Sequence, residues 1–288
     1  FRAELHALLR DYAGRPSPLY DAYASLPSRP GGISALADLL AAEGLLDRTV
    51  IFWTANNSYG FDRIDWPRLA SCANVATISR YMRSIIRSKG VDAQVIPNGI
   101  PAELLEAVSR RASPVRAIGR DPSVNLFFTM ARWEREKGWA QALGAVAELR
   151  RRGRQPLLVA RSGGPSATAE GLRDAATERG LHVEDVADEA GLAERLETRS
   201  HRQVDVLNLR FPVNTLLARK LFAASDAVLA NSIYEPFGLV GLEAMAAGGM
   251  IYTGGTGEDY VVDGRNAVVL QSLEPGEIAT RWGELNRA

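Results

Sequence analysis

Thiol and imidazole are scarce in this chain: 288 residues include one cysteine and three histidines. Cys72 alone cannot close an intrachain disulfide, and a His/Cys zinc site would lack ligands. The surroundings of Cys72 do not resemble a nucleophile motif, so it reads as a small structural residue. A charge excess is missing too, since 34 basic and 34 acidic residues leave a formal net charge of zero. That balance gives no electrostatic footprint for nucleic acid, and the cluster R-R-R-G-R at 150–154 suits a solvated helix end. No apolar run is long enough to span a membrane and no signal peptide is visible, so the expectation is a cytoplasmic protein with at most peripheral membrane contact. No G-x-G-x-x-G follows a strand-like run, which weighs against a dinucleotide-dependent oxidoreductase.

What the chain does have is alternation. The length permits a sizeable core and two domains. Apolar, β-favouring runs at 124–130, 157–160, 204–209, 227–229 and 250–252 are separated by helical patterns, which implies a parallel sheet with helices on both faces. Earlier runs at 49–55, 74–78 and 94–96, with a helix at 80–89, suggest a smaller unit of the same α/β kind. The expected division is a partial first domain over 1–100, a linker over 101–123 with a helix at 102–111, and a second domain over 124–288.

The segment E-P-F-G-L-V-G-L-E places Glu235 and Glu243 eight positions apart around a probable turn and helix start. If the helix begins near Phe237 or Gly238, its first N–H groups lack intrahelical partners and attract an anion such as phosphate. Glu235 would stand at the mouth of that site and Glu243 about two turns along. Two carboxylates beside an anion site make sense if the ligand also carries hydroxyls, since carboxylates accept hydrogen bonds from them. A phosphate joined to sugars meets that description. An ordinary amphipathic helix with two solvated glutamates fits the segment equally well.

A second segment, A-R-W-E-R-E-K-G, follows the run at 124–130 and puts Arg132 and Lys137 beyond the carboxyl end of a strand. Open α/β sheets bind ligands there, and an Arg fork with a Lys point charge suits phosphate oxygens. Taken alone, the segment is as well explained by solvated charges or by pairing with Glu134 and Glu136.

Three segments in order resemble the retaining GT-B glycosyltransferases of the large family-4 group: V-A-T-I-S-R-Y-M with V-I-P-N-G-I-P, then T-M-A-R-W-E-R-E-K-G, then N-S-I-Y-E-P-F-G-L-V-G-L-E-A-M-A-A-G. The tail G-G-T-G-E-D-Y-V-V-D-G-R-N-A is a weaker echo. The resemblance implies two Rossmann-like domains with parallel sheets facing a cleft, the first incomplete in this chain. It implies transfer of a sugar from a nucleotide-diphosphate donor to an acceptor with retained anomeric configuration, the leaving phosphate helping to deprotonate the incoming hydroxyl. On that basis Arg132 and Lys137 would hold the diphosphate, Glu235 would contact the transferred sugar, and Glu243 would bind the ribose hydroxyls. Backbone N–H groups around Phe237, Gly238, Leu239 and Val240 would meet sugar and distal phosphate, and the Gly163-Gly164 turn would line the pocket. No metal and no cofactor are expected beyond the nucleotide-sugar substrate.

Where many family members carry a histidine in the first-domain loop, this chain reads Asn56-Asn57, which cannot serve as a general base. Asn56, Asn57 and Tyr59 are candidates for the acceptor side, against the alternative of an Asn-rich turn. Other functions compatible with the resemblance are a nucleotide-sugar-binding fragment without turnover, a GT-B-type epimerase, and a phosphorylase using pyridoxal phosphate on Lys137 or Lys220.

Overall fold

The computed structural model describes residues 50–53, 66–72, 74–106, 124–163, 166–198 and 203–286. Asn56, Asn57, Tyr59 and Gly164 lie outside the described residues. The chain divides into two compact units between Asn98 and Gly99.

In the first unit, β1 (Val50–Trp53), α1 (Trp66–Cys72), β2 (Asn74–Thr77), α2 (Arg80–Arg87) and β3 (Gln94–Val95) follow one another. The three strands pair in parallel in the order β1-β2-β3. The α2 helix starts where Ser79, in extended conformation, accepts a hydrogen bond from the Met82 N–H at 3.0 Å, satisfying one orphan donor of the first turn. Met82 and Ile86, four apart and therefore on one face, are its buried residues.

The second unit continues with β4 (Val124–Met130), α3 (Trp139–Arg151), β5 (Gln155–Arg161), α4 (Ser166–Thr177), β6 (Val183–Val186), α5 (Glu189–Thr198), β7 (Val206–Leu209), α6 (Thr215–Ala224), β8 (Ala227–Ala230), α7 (Leu239–Ala246), β9 (Ile251–Thr253), β10 (Val268–Val269) and α8 (Pro275–Leu285). Its seven strands form one parallel sheet in the order β10-β9-β8-β4-β5-β7-β6. Period-two alternation assigns the side chains of β4 to two cores. Phe127 packs with Trp139, Leu143 and Val146 of α3, Leu172 of α4 and Ile278 and Trp282 of α8. Leu126 and Phe128 face the other side, with Leu192 of α5, Leu217, Leu221 and Phe222 of α6 and Ala244 of α7. Burial on both faces explains why β4 reads as an unbroken apolar run.

Sequence reasoning passed over β6 and β10. The β6 strand is an edge with the sequence V-E-D-V and only Val186 buried, so it carries no apolar run. The β10 strand has only two residues. The helix expected at 102–111 is corrected over its described part to a 3-10 turn, Ala102–Leu105, that passes into extended backbone at Glu106. Leu104 is its one buried residue, too little apolar face to sustain a longer helix. Residues 107–111 lie outside the described residues.

The chain passes from β4 to β5 on one side of the sheet, and β8 pairs with β4 on the other. Strand order therefore reverses between β4 and β8, and the crevice at their carboxyl ends is where such sheets bind ligands. Phe128, fully buried and 5.4 Å from the Phe222 ring, anchors the sheet beneath that point. Phe128→Ala is expected to lower the unfolding free energy by about 3–5 kcal/mol, measured by chemical denaturation of both proteins.

Candidate functional site

Two loops leave the sheet at the switch point. The first runs from Ala131 through a 3-10 turn, Arg135–Lys137, to Gly138 at the start of α3. The second runs from Asn231 to Gly238 at the start of α7. They are joined by two hydrogen bonds: the Ile233 N–H donates to the Glu136 carbonyl at 2.7 Å, and the side-chain Nδ2 of Asn231 donates to the Gly138 carbonyl at 3.0 Å. Asn231 Nδ2 also reaches Gln141 Oε1 at 2.9 Å on the first turn of α3. The contact is close enough to require glycine at 138. Its φ is 71°, and a Cβ there would lie 2.6 Å from Asn231 Nδ2.

This joining brings together two of the sequence-predicted residues. Lys137 Nζ lies 3.0 Å from Glu235 Oε1, with the side chains only 13% and 21% exposed. The other carboxylate oxygen of Glu235 accepts from Ser232 Oγ at 3.0 Å, and the Glu235 N–H donates to the Gly255 carbonyl at 3.3 Å. Arg132 is not brought to that cluster. Its guanidinium pairs with Glu134 at 2.8 Å and is 68% exposed, as the local pairing reading allowed. Its backbone carbonyl instead accepts from Trp139 Nε1 at 2.8 Å, which fixes the first loop against α3.

The α7 helix begins at Leu239, one residue beyond the expected start, with Gly238 as an N-cap that supplies no side chain. Phe237 is buried and its ring lies 5.6 Å from that of Tyr260, so only its backbone remains for a ligand. Leu239 is exposed and Val240 half-buried. Glu243 is half-buried one turn further, and no hydrogen bond or ion pair reaches its carboxylate among the described residues. Burial raises its pKa above the ordinary carboxylate value. Gly163 follows β5, where a Cβ would meet only the Arg161 guanidinium at 3.8 Å, leaving the backbone accessible.

Sequence reasoning assigned no role to Asn231, Ser232, Thr256 or Tyr260. The first two open the segment N-S-I-Y-E-P-F-G, directly after β8, and the last two stand in the tail G-G-T-G-E-D-Y. The Tyr260 hydroxyl donates to the Gly238 carbonyl and lies within hydrogen-bonding reach of the Leu242 N–H, so it is inserted into the first turn of α7. Burial first, and the Glu235 charge second, push the phenol pKa upward and keep it a donor. Three buried polar atoms near these loops have no hydrogen-bond partner among the described residues: Ser162 Oγ after β5, Asn231 Oδ1 after β8 and Thr256 Oγ1 after β9. Lys220, in the middle of α6, faces Glu189 at 3.9 Å and has no place in this cluster. Among the described residues no group of three His, Cys, Asp or Glu could hold a metal, and no helix is long and apolar enough to cross a membrane.

A parallel doubly wound sheet with a Lys–Glu pair and an uncapped helix start at its switch point is an α/β fold of the GT-B type. The chain belongs to the glycosyl transferases group 1 family, whose family model matches residues 115–282 and so spans all four charged candidates. It is 28% identical over 222 residues to an uncharacterized glycosyltransferase of Methanocaldococcus jannaschii, covering 74% of this chain and 50% of that protein. It is 26% identical over 214 residues to D-inositol 3-phosphate glycosyltransferase 2 of Catenulispora acidiphila, covering 72% of this chain and 46% of that one. The chain thus spans about half the length of the curated relatives it matches. In fold it is similar to Anabaena HepE, solved with UDP and glucose, with a TM-score of 0.61 at 18% identity over 90% of this chain and 66% of that one. It is likewise similar to sucrose-phosphate synthase of Thermosynechococcus elongatus, with a TM-score of 0.58 at 17% identity over 94% of this chain and 71% of that one.

Gly238 has φ 77°, and a Cβ there would lie 3.3 Å from both Thr256 Cβ and the Tyr260 hydroxyl. Gly238→Ala is expected to cost about 1–3 kcal/mol through backbone strain. Adding Thr256→Ala should return part of that loss by removing the hydroxyl that crowds the new methyl. Denaturation midpoints of the two single variants and the double variant measure both effects.

Proposed function

We propose that this chain forms the donor site of a glycosyltransferase that moves a sugar from a nucleoside diphosphate to an acceptor hydroxyl with retention of configuration. The observation that carries it is the Lys137–Glu235 pair set beside the uncapped start of α7 at the switch point. Lys137 and the helix start offer positive charge to a diphosphate, and the Arg132 fork stands on the same loop to close on it. Glu235 offers acceptor lone pairs to hydroxyls of the transferred sugar. Glu243, half-buried and without a protein partner among the described residues, is suited to a pair of ribose hydroxyls. The HepE crystal with UDP and glucose supports the choice of ligand class for this fold.

In the proposed step, the bond between the anomeric carbon and the diphosphate oxygen breaks as the acceptor oxygen bonds to the same face of that carbon. The acceptor proton passes to the departing phosphate oxygen, and the nucleoside diphosphate leaves. Lys137, Arg132 and the helix start offset the negative charge that grows on it. Lys137 and the helix start stand in place before the reaction and Arg132 adds its charge from the same loop as Lys137, so the step calls for no metal ion.

Calorimetric titration with UDP, GDP and ADP tests the site. One nucleotide is expected to bind, with affinity reduced about tenfold or more in Glu243→Ala, Lys137→Ala and Arg132→Ala, a loss of about 1.4 kcal/mol or more. A folded chain that binds none of the three, either bare or as the nucleotide sugar, overturns the donor-site assignment.

The raised pKa of Glu243 adds a pH dependence. Only the ionised carboxylate accepts from two hydroxyls, and its protonation begins at a higher pH than for an ordinary glutamate. Nucleotide affinity should therefore fall as pH is lowered toward the carboxylate range, beyond what phosphate protonation causes. Glu243→Gln should lose that extra component, which parallel titrations at several pH values measure.

A further inference from the structure

Lys137 and Glu235 satisfy each other. The ammonium that a diphosphate needs is already bound, at 3.0 Å, to the carboxylate that sugar hydroxyls need. Ser232 Oγ occupies the second carboxylate oxygen at 3.0 Å, which holds Glu235 in position for the pair. Both side chains are largely shielded from water, so neither is solvated cheaply once its partner is withdrawn. A ligand carrying phosphates alone must draw Lys137 away and leave Glu235 with Ser232 and a poorly hydrated charge. It also places a second anion close to that carboxylate. A ligand carrying phosphates and adjoining hydroxyls replaces both halves of the pair at once: phosphate oxygens for Lys137, hydroxyl donors for Glu235.

Resting on the donor-site reading above, we propose that the Lys137–Glu235 pair makes the site select an intact nucleotide sugar over the bare nucleoside diphosphate, and thereby assists product release. When the sugar has moved to the acceptor, Glu235 loses its hydroxyl donors and competes again for Lys137. The departing diphosphate then faces an acid that it did not face as part of the donor. Glu235 is in this sense a specificity-determining residue as well as a sugar contact, and its charge acts oppositely on donor and on product.

The test is the affinity of wild type and Glu235→Gln for bare diphosphates (UDP, GDP and ADP) and for UDP-glucose, GDP-mannose and ADP-glucose, by calorimetry. Glutamine keeps the shape and removes the charge, which frees Lys137. The bare diphosphate that wild type binds is expected to bind Glu235→Gln about tenfold tighter, equivalent to about 1.4 kcal/mol. The matching nucleotide sugar should gain nothing or weaken. If Glu235→Gln does not fold, Glu235→Asp, whose carboxylate is withdrawn by one methylene, should shift the diphosphate in the same direction by less. An unchanged or weakened diphosphate affinity in the folded variant overturns the proposal while leaving the donor site standing. Equal tightening of diphosphate and nucleotide sugar overturns the selectivity. A wild-type chain that binds none of the six ligands overturns the donor-site reading and this inference together.

Discussion

The contact between the two loops at the β4–β8 switch point is the constraint on which the candidate site depends. Parallel pairing of β4 with β8 brings two carboxyl ends together, but the loops beyond them would be free to diverge. The Ile233 N–H to Glu136 bond and the Asn231 amide to the Gly138 carbonyl prevent that. Only then can a lysine on one loop and a glutamate on the other, 98 positions apart in sequence, meet as an ion pair. Gly138 is the permissive element, because any side chain there would displace Asn231 and separate the loops.

The order of strands and helices in the second unit was legible because β4, β5, β7 and β8 are buried on both faces and therefore carry apolar runs that a sequence displays directly. The edge strand β6 was not, since an edge of a sheet is half solvated and its charged residues hide the pattern. Glu235, Glu243 and Lys137 were legible as candidates through spacing, position after a strand and family resemblance. Their pairing was not. Lys137 had two nearer acids at 134 and 136, and nothing local says that it bypasses both for Glu235 while Arg132 takes Glu134. Tyr260 was unreadable for a similar reason: its partner Gly238 lies 22 positions earlier, beyond any local rule.

The two ends of the sheet use polar groups in contrasting ways. At the amino ends, acids are structural. Asp226 accepts from the Leu126 N–H at 2.7 Å, and Asp205 takes the His182 N–H and the Arg150 guanidinium, both at 2.8 Å. These carboxylates close hydrogen bonds that the strand ends would otherwise leave open. Near the carboxyl ends, Ser162 Oγ, Asn231 Oδ1 and Thr256 Oγ1 have no partner among the described residues, and the α7 helix starts without a side-chain cap. Buried polar groups without partners oppose folding, and three of the six such atoms among the described residues stand just beyond the carboxyl ends of β5, β8 and β9.

The same contrast explains how the proposed anion site tolerates two glutamates. Glu243 stands within α7 and is not a member of that ion pair, and burial weakens its tendency to ionise. Glu235 is held at the loop junction by Lys137 and Ser232, so its charge is compensated within the protein. The helix start, with Tyr260 inserted in its first turn, contributes positive potential independent of either carboxylate. Positive potential from backbone and negative charge from side chains therefore occupy adjacent but separate positions. A ligand with phosphate at one end and hydroxyls at the other meets both without bringing like charges together, which a phosphate or a sugar alone does not.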